Sequence, residues 1–404
     1  MSHPSGLVGR IPAMAHEKPS GNGTGQTNAT ATSVTGKLTA PARMLVVLPN
    51  WVGDVVLATP ALRALRTRFA GSHITGLVKG HLAEVLSGGD WLDELLFWPQ
   101  NQNRDRRRQS FLGLAGELRE RKFDWAVLLA NSFRSALLAR LAGIPRRIGY
   151  DRDGRGLLLT DKLLPHKFDG QYVPVPMIRS YNAVARYLGC RECPTLPELF
   201  TTPTEETVAT DAIEAAGVGP KQPIVVMNPG AAFGPAKCWL PERFAEVGDG
   251  LVEQCGAAVF LSCGPKEIDV ARRVAAKMRH PVVVQDNPVM RLGPLKALIR
   301  RARLLVTNDT GPRHFANAFG TPVVTIFGPT DPEWTATDAP KERSLMVEVD
   351  CGPCMRRTCP LDHRCMTRIT SESVFSIARE LIEQRTSASV SESLPRSRPA
   401  LLER

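Results

Sequence analysis

The run Met44–Leu48 is apolar without interruption, as expected of a strand covered on both faces. From Asp54 the spacing lengthens. Val55, Ala58, Leu62, Leu65 and Phe69 recur at helical intervals, while Arg63, Arg66 and Arg68 fall off that face. A short strand in "HITGLVKG" and a short helix in "HLAEVLSG" follow, then a strand over Asp124–Ala130 and a helix in "NSFRSALLARLAG". The alternation restarts near Pro223: "PIVVMNPG", "AAVFLSCG", "PVVVQD", "RLLVTND" and "TPVVTIFG" read as strands separated by helical segments. Strands alternating with helices predict parallel, doubly wound sheets. Between the two sets, Cys190–Glu206 is rich in Pro and Thr and reads as a linker. The fold class is therefore α/β, with two doubly wound domains facing across a cleft where open α/β sheets bind ligands.

Length agrees with two domains plus tails, since 404 residues exceed one ordinary core. Residues 1–42 are rich in Gly, Ser, Thr, Ala and Pro, lack an apolar period and lack a secretory signal's hydrophobic centre. They are expected to be a disordered extension, and 386–404 a disordered tail. Residues 43–200 then form the first domain and 201–385 the second. No apolar run is long enough to cross a bilayer. The formal net charge of +11 favours anionic partners: nucleic acid, phosphorylated substrates or an acidic membrane surface. The densest basic run, Asn103–Ser110, is either a solvated segment or a binding one. No basic patch interleaved with aromatics is present, so nucleic acid is not expected as a partner. The nine cysteines are expected to be reduced, in the cytoplasm.

Polar residues collect where strands give way to helices. In "PNWVGD", Asp54 is either a helix cap, which would weaken it as a base, or a general base projecting into the cleft. The turn from Asn228 to Trp239 holds Gly230, Gly234 and Lys237. Either it is an ordinary Pro/Gly loop, or its amides and lysine receive a diphosphate. It lacks the Gly-Lys-Ser/Thr ending of a Walker A loop. In "NDTGPRHFA", Thr310 and Gly311 can donate to a phosphate, Asp309 can accept from a sugar or cap the helix, and His314 is one turn further on.

Other patterns carry less. Asp151-Arg152-Asp153 matches the Asp-x-Asp of metal-dependent sugar transferases but sits in a charged Gly-rich turn, and is read as surface. "GNGTG" near Gly21 follows no strand, so dinucleotide binding is not expected. Cys351, Cys354, Cys359 and Cys365, with His363, could supply tetrahedral zinc; disulfides or plain thiols are the other readings.

"WVGD", "NSFRSAL", "PGAAFGPAKCW" and "NDTGPRHFA", in that order, resemble the lipopolysaccharide heptosyltransferases, most nearly their type II branch. The resemblance runs from about Met44 to the helix near Arg379. It implies a GT-B fold: two Rossmann-like domains, the first on the acceptor side and the second binding nucleotide-sugar. It implies inverting transfer of L-glycero-D-manno-heptose from ADP-heptose to heptosyl-Kdo2-lipid A, at the cytoplasmic face of the inner membrane, without metal or other cofactor. Asp54 would be the catalytic base. Gly230, Lys237, Glu267, Asp309, Thr310, Gly311 and His314 would bind the donor, and Trp51, Asn131, Ser132 and Arg134 the acceptor. Two other functions stay open: transfer of another nucleotide-activated sugar, and a non-catalytic protein holding a phosphorylated ligand.

Overall fold

The computed structural model describes residues 39–99 and 110–388. The basic run Asn103–Gln109 and most of both tails lie outside them. All elements below lie in the unit Ala40–Arg404.

Six parallel strands form the first sheet: β1 (Arg43–Val47), β2 (His73–Val78), β3 (Glu94–Phe97), β4 (Trp125–Leu128), β5 (Arg146–Tyr150) and β6 (Asp161–Leu163). A hairpin, β7 (Lys167–Phe168) and β8 (Gln171–Tyr172), stands apart. The second sheet holds β9 (Ile224–Asn228), β10 (Ala258–Leu261), β11 (Val283–Val284), β12 (Leu304–Asn308), β13 (Val323–Ile326) and β14 (Glu342–Leu345). The orders are β3-β2-β1-β4-β5-β6 and β11-β10-β9-β12-β13-β14, the same Rossmann-type winding used twice. In each sheet the order in which strands are added therefore reverses once, between β1 and β4 and between β9 and β12.

Helices of the first lobe are α1 (Val52–Leu57), α2 (Thr59–Arg68), α3 (Ala83–Leu86), α4 (Phe111–Glu120), α5 (Phe133–Leu141) and α6 (Met177–Tyr187). Then come α7 (Pro203–Ala215), α8 (Pro241–Cys255), α9 (Ile268–Ala275), α10 (Leu292–Arg301), α11 (Gly311–Phe319), α12 (Arg364–Thr367) and α13 (Ser371–Ala388). Each lobe has its own core. Leu45, Val47, Leu77 and Leu128 meet Leu114, Leu118 and Leu138 in the first. Val225, Met227, Leu304 and Val306 meet Phe244, Val374 and Leu381 in the second.

Three expected boundaries move. Pro41 is buried and Ala42 accepts a hydrogen bond from His73, so 41–42 belong to the fold rather than the extension. The end of the Pro/Thr-rich stretch is helix: Thr202 and Glu205 form a reciprocal capping box that starts α7. Residues 386–388 continue α13 rather than begin a tail.

Among the described residues, two of the contacts between the lobes matter most here. Gly53 on α1 lies against His314, and Gly311 at the start of α11 lies against Val52. At the second place Lys296 of α10, wholly buried, donates to the carbonyls of Glu84 and Ser87 at 2.8 Å each and to the Ser87 hydroxyl at 2.8 Å. Glu205 from α7 lies 3.4 Å from the same ammonium. A buried lysine bonded this way ties α3 to α10 and α7.

Candidate active site

Strand β1 ends into Pro49-Asn50-Trp51, and Trp51 takes the extended N-cap position of α1 with no side-chain cap. Asp54 is the third helical residue and caps nothing. Its carboxyl accepts a hydrogen bond from Tyr181 of α6 and feels Lys237 and Asp309 across the cleft. Surrounding protein makes the charged form costly, and the nearby Asp309 charge adds to that. Tyr181 and Lys237 pull the other way, and the carboxyl settles at about 6. A capping aspartate would be shifted down. The carboxyl is thus raised rather than lowered, unlike that of a capping aspartate.

Opposite stand the loops after β9 and β12, adjacent because their strands pair at the switch point. Buried amides set their shape. Asn308 Oδ1 accepts from the Trp239 amide at 3.1 Å, and its Nδ2 donates to the Pro229 carbonyl at 2.8 Å. Asn228 Nδ2 donates to Thr310 Oγ1 at 3.0 Å, and Ser262 donates to Asn228 Oδ1 at 3.1 Å. The loop so held brings Lys237 to Asp309, 2.6 Å from its Oδ2 and 3.1 Å from its carbonyl oxygen. Thr330 donates to the same Oδ2 at 2.8 Å, and Arg313 donates to Oδ1 at 3.0 Å. Burial alone would raise the Asp309 carboxyl; the Lys237 and Arg313 charges, with hydrogen bonds from Lys237 and Thr330, hold it at about 2. Three of its roughly four lone-pair sites are taken. Asp309 therefore holds Lys237 in place more readily than it meets a sugar hydroxyl.

Thr310 is the N-cap of α11 but its hydroxyl is spent on Asn228 and Thr307, so no side chain caps that helix. The end of α11 that faces α1 thus keeps the positive pole of the helix and backbone donors available to an anion. His314, almost fully buried, is pushed down to about 3 by burial and by the Arg313 and Lys237 charges, against the pull of Glu342 and Asp309. It contributes a neutral ring packed on Gly53. Glu267 lies over Gly230 and accepts from the Gly264 amide at 2.8 Å, beyond the end of β10. The donor-side residues named from sequence thus converge on the carboxyl ends of β9, β10 and β12.

The acceptor-side residues converge less. Trp51 is about half exposed beside α1. Asn131, after β4 at the first switch point, accepts from Arg155 Nη2 at 2.8 Å. Ser132 caps α5 by accepting from the Ser135 amide at 3.2 Å. Arg134 lies over the Trp98 and Phe111 rings at 5.5 and 5.1 Å. Sequence reasoning missed Arg155, a fully buried guanidinium that binds Asn131 and the Ala130 and Tyr150 carbonyls. Burial lowers it to about 10. Tyr181 was also missed; it lies on α6 among buried Ile178, Ala185 and Leu188. Arg313 passed unnoticed beside His314.

The cysteine segment has a mechanical role near the site. The Arg357 carbonyl accepts from the Ala236 amide at 3.0 Å, and His363 Nε2 lies 2.7 Å from the Ala236 carbonyl. Gly234 adopts φ 153°, and a Cβ there would lie 2.5 Å from the Arg357 oxygen. The segment therefore braces the loop that carries Lys237. Cys351, Cys354, Cys359 and Cys365 line one small cavity with His363, and all are free thiols. Among the described residues no group of three or more His, Cys, Asp or Glu is gathered at metal-ligand geometry. Cys359 Sγ instead accepts from the Leu361 amide at 3.4 Å, and Cys365 is buried against Gly328. The Asp151 carboxyl packs over Gly156 rather than beside Lys237.

The profile of glycosyltransferase family 9 (heptosyltransferase) matches residues 111–364. The chain belongs to that family. Lipopolysaccharide heptosyltransferase 2 of Escherichia coli (strain K12) is 28% identical to this transferase over 316 residues, 76% of this chain and 88% of that protein. A glycosyl transferase family 9 structure from Veillonella parvula DSM 2008 superposes with a TM-score of 0.72 at 25% identity, covering 85% of this chain and 97% of that one. The E. coli ADP-heptose lps heptosyltransferase II gives 0.69 at 26% identity, over 85% and 99%. Two Rossmann-like lobes in this arrangement make the transferase a GT-B enzyme. Among the described residues, no helix is long and apolar enough to cross a membrane.

Proposed function

We propose that the transferase moves L-glycero-D-manno-heptose from ADP-heptose to the heptose of heptosyl-Kdo2-lipid A, inverting the anomeric centre. Residues 43–200 serve as the acceptor side and 201–385 as the donor side. The observation that carries the reading is a carboxyl at about 6, Asp54, facing Lys237 and the open end of α11 across the cleft. Asp54 takes the proton of the acceptor hydroxyl as its oxygen bonds to the anomeric carbon. The bond from that carbon to the diphosphate oxygen breaks, and ADP leaves with the electron pair. Lys237 turns from Asp309 toward the diphosphate, and the Thr310–Gly311 backbone with the α11 dipole meets the charge that develops there. Glu267, beside Gly230, accepts from the nucleotide's ribose in this reading, and Trp51 and Asn131 border the acceptor.

A protein that merely held a phosphorylated ligand would have no use for a base opposite the phosphates, and a buried carboxylate would repel them. Enzyme chemistry is therefore favoured over passive binding. The acceptor is membrane-anchored, and the excess of 51 Lys and Arg over 40 Asp and Glu suits work at the anionic cytoplasmic face of the inner membrane. Incubation with ADP-heptose and heptosyl-Kdo2-lipid A, followed by mass spectrometry, should show one added heptosyl residue. Transfer from another nucleotide-sugar, with none from ADP-heptose, would replace the donor assignment.

A further inference from the structure

The first lobe carries a cavity whose lining residues, Asn131 apart, have no role in the reaction above. It is open to solvent and is lined by Asn131, Tyr150, Arg152, His166, Tyr172 and Trp334. The chain has four tyrosines. Two of them line this cavity and a third, Tyr181, touches Asp54. Tyr181 follows Ser180 of the cavity wall, and the Arg152 charge is felt at the Tyr181 hydroxyl, so the cavity adjoins the base. Trp334 comes from the second lobe, which makes this wall a joint product of both.

Flat rings on several sides suit the faces of a sugar, and the polar groups suit an anion. The Arg152 guanidinium lies over the Tyr172 ring at 4.4 Å. Its Nε is buried without a hydrogen-bond partner; the Asp153 carboxylate stays 3.8 Å away. A buried guanidinium donor left unmet costs stability unless a ligand completes it. His166 adds an imidazole to the lining of the same cavity.

We propose that this cavity is a subsite for an anionic sugar of the acceptor, bearing a carboxylate or a phosphate, with the anion on Arg152 and the ring against Tyr172 and Trp334. The proposal rests on the reading of the chain as a transferase acting on an anionic glycolipid.

Two measurements test it. The first compares kcat/KM for three acceptors ending in the same heptose: one on Kdo carboxylates, one carrying phosphate, and a neutral methyl heptoside. In Arg152→Ala the preference for an anionic over the neutral acceptor should fall about 10- to 100-fold, the worth of a charge-assisted contact. Whichever anionic acceptor loses more identifies the group bound. The second titrates a Kdo oligosaccharide without the terminal heptose by calorimetry, which reads the cavity without turnover. Wild type should bind it saturably, and Arg152→Ala about 10-fold or more weaker; Tyr172→Leu, which strips the stacking face, repeats the test should Arg152→Ala misfold. Binding without transfer by the wild type would leave the subsite standing and overturn the transfer reaction. An unchanged acceptor preference with equal binding by wild type and Arg152→Ala would overturn the subsite while the reaction stands, and absence of both transfer and binding would overturn both.

Discussion

Asp54 sits at about 6 because the protein withdraws it from water without an ion pair close enough to repay the loss. Tyr181 is the nearest counterweight, so Tyr181→Phe should move the acid limb of the rate profile to higher pH, and an unmoved limb would detach Tyr181 from the base. The same shift has a stability sign. A carboxyl whose folded value exceeds its unfolded one favours the native state fully below the unfolded value, near 3.8, and loses that contribution as pH rises through about 6. At pH 7 the ionised group is therefore a burden, and Asp54→Asn should stabilise the fold by about 1–3 kcal/mol at roughly 1.4 kcal/mol per unit. Turnover should fall about 100-fold or more with donor affinity little changed. Thermal melts at pH 7 and pH 5 check this: the advantage of Asn should shrink at pH 5. Lys237→Ala should instead weaken donor binding by about 1.5–3 kcal/mol, read by calorimetry with ADP-heptose. An unchanged dissociation constant would place that lysine away from the phosphates.

Two helix starts bring the opposed groups together, and glycine permits it. A Cβ at Gly311 would lie 2.6 Å from Val52 Cβ, a branched position that cannot swing aside, and one at Gly53 would lie 2.7 Å from the His314 ring. Gly311→Ala should part α1 from α11 and lower turnover about 10-fold or more, a misplacement effect, while the melting temperature falls by only a few degrees. Wild-type turnover would show the spacing of these helices to be uncritical. The strands before both turns were readable because β1, β4, β9 and β12 are apolar runs closed by polar turns. Strand β14 was not, since Glu342-Arg343-Ser344-Leu345 has no apolar period; it belongs to the sheet through backbone pairing and through Glu342, which is buried against Arg313. Strand β5 was readable only as a short strand before the Asp151 turn, since it begins Arg146-Arg147: Arg146 lies over the Trp125 ring and pairs with Asp161. Asp54, Lys237 and the Asp309–His314 turn were legible from residue type at a strand end. Their partners Tyr181, Arg155, Asn228 and Asn308 were not, because a buried hydrogen-bonding side chain leaves no local pattern when its partner is far along the chain, as Thr310 is from Asn228 and Tyr181 from Asp54.

In the proposed reaction the acid–base group comes from one lobe and the phosphate-facing groups from the other, so that site exists only where the lobes meet. Lys296 and the Glu84–Ser87 carbonyls fix that meeting from behind. With Lys237 and the α11 terminus at the diphosphate, a divalent cation would duplicate their charge; turnover should survive EDTA, and loss of turnover restored by Mn or Mg would overturn the metal-independent course. The most direct test of the account is the pH dependence of kcat/KM for heptosyl transfer, which reports the base in the free enzyme. The profile should rise with unit slope to a limb near pH 6 and level off above it, and Asp54→Asn should lie about 100-fold or more below it. A flat profile from pH 5 to 8, or an Asp54→Asn enzyme with wild-type kcat/KM, would contradict the assignment of Asp54 as the base.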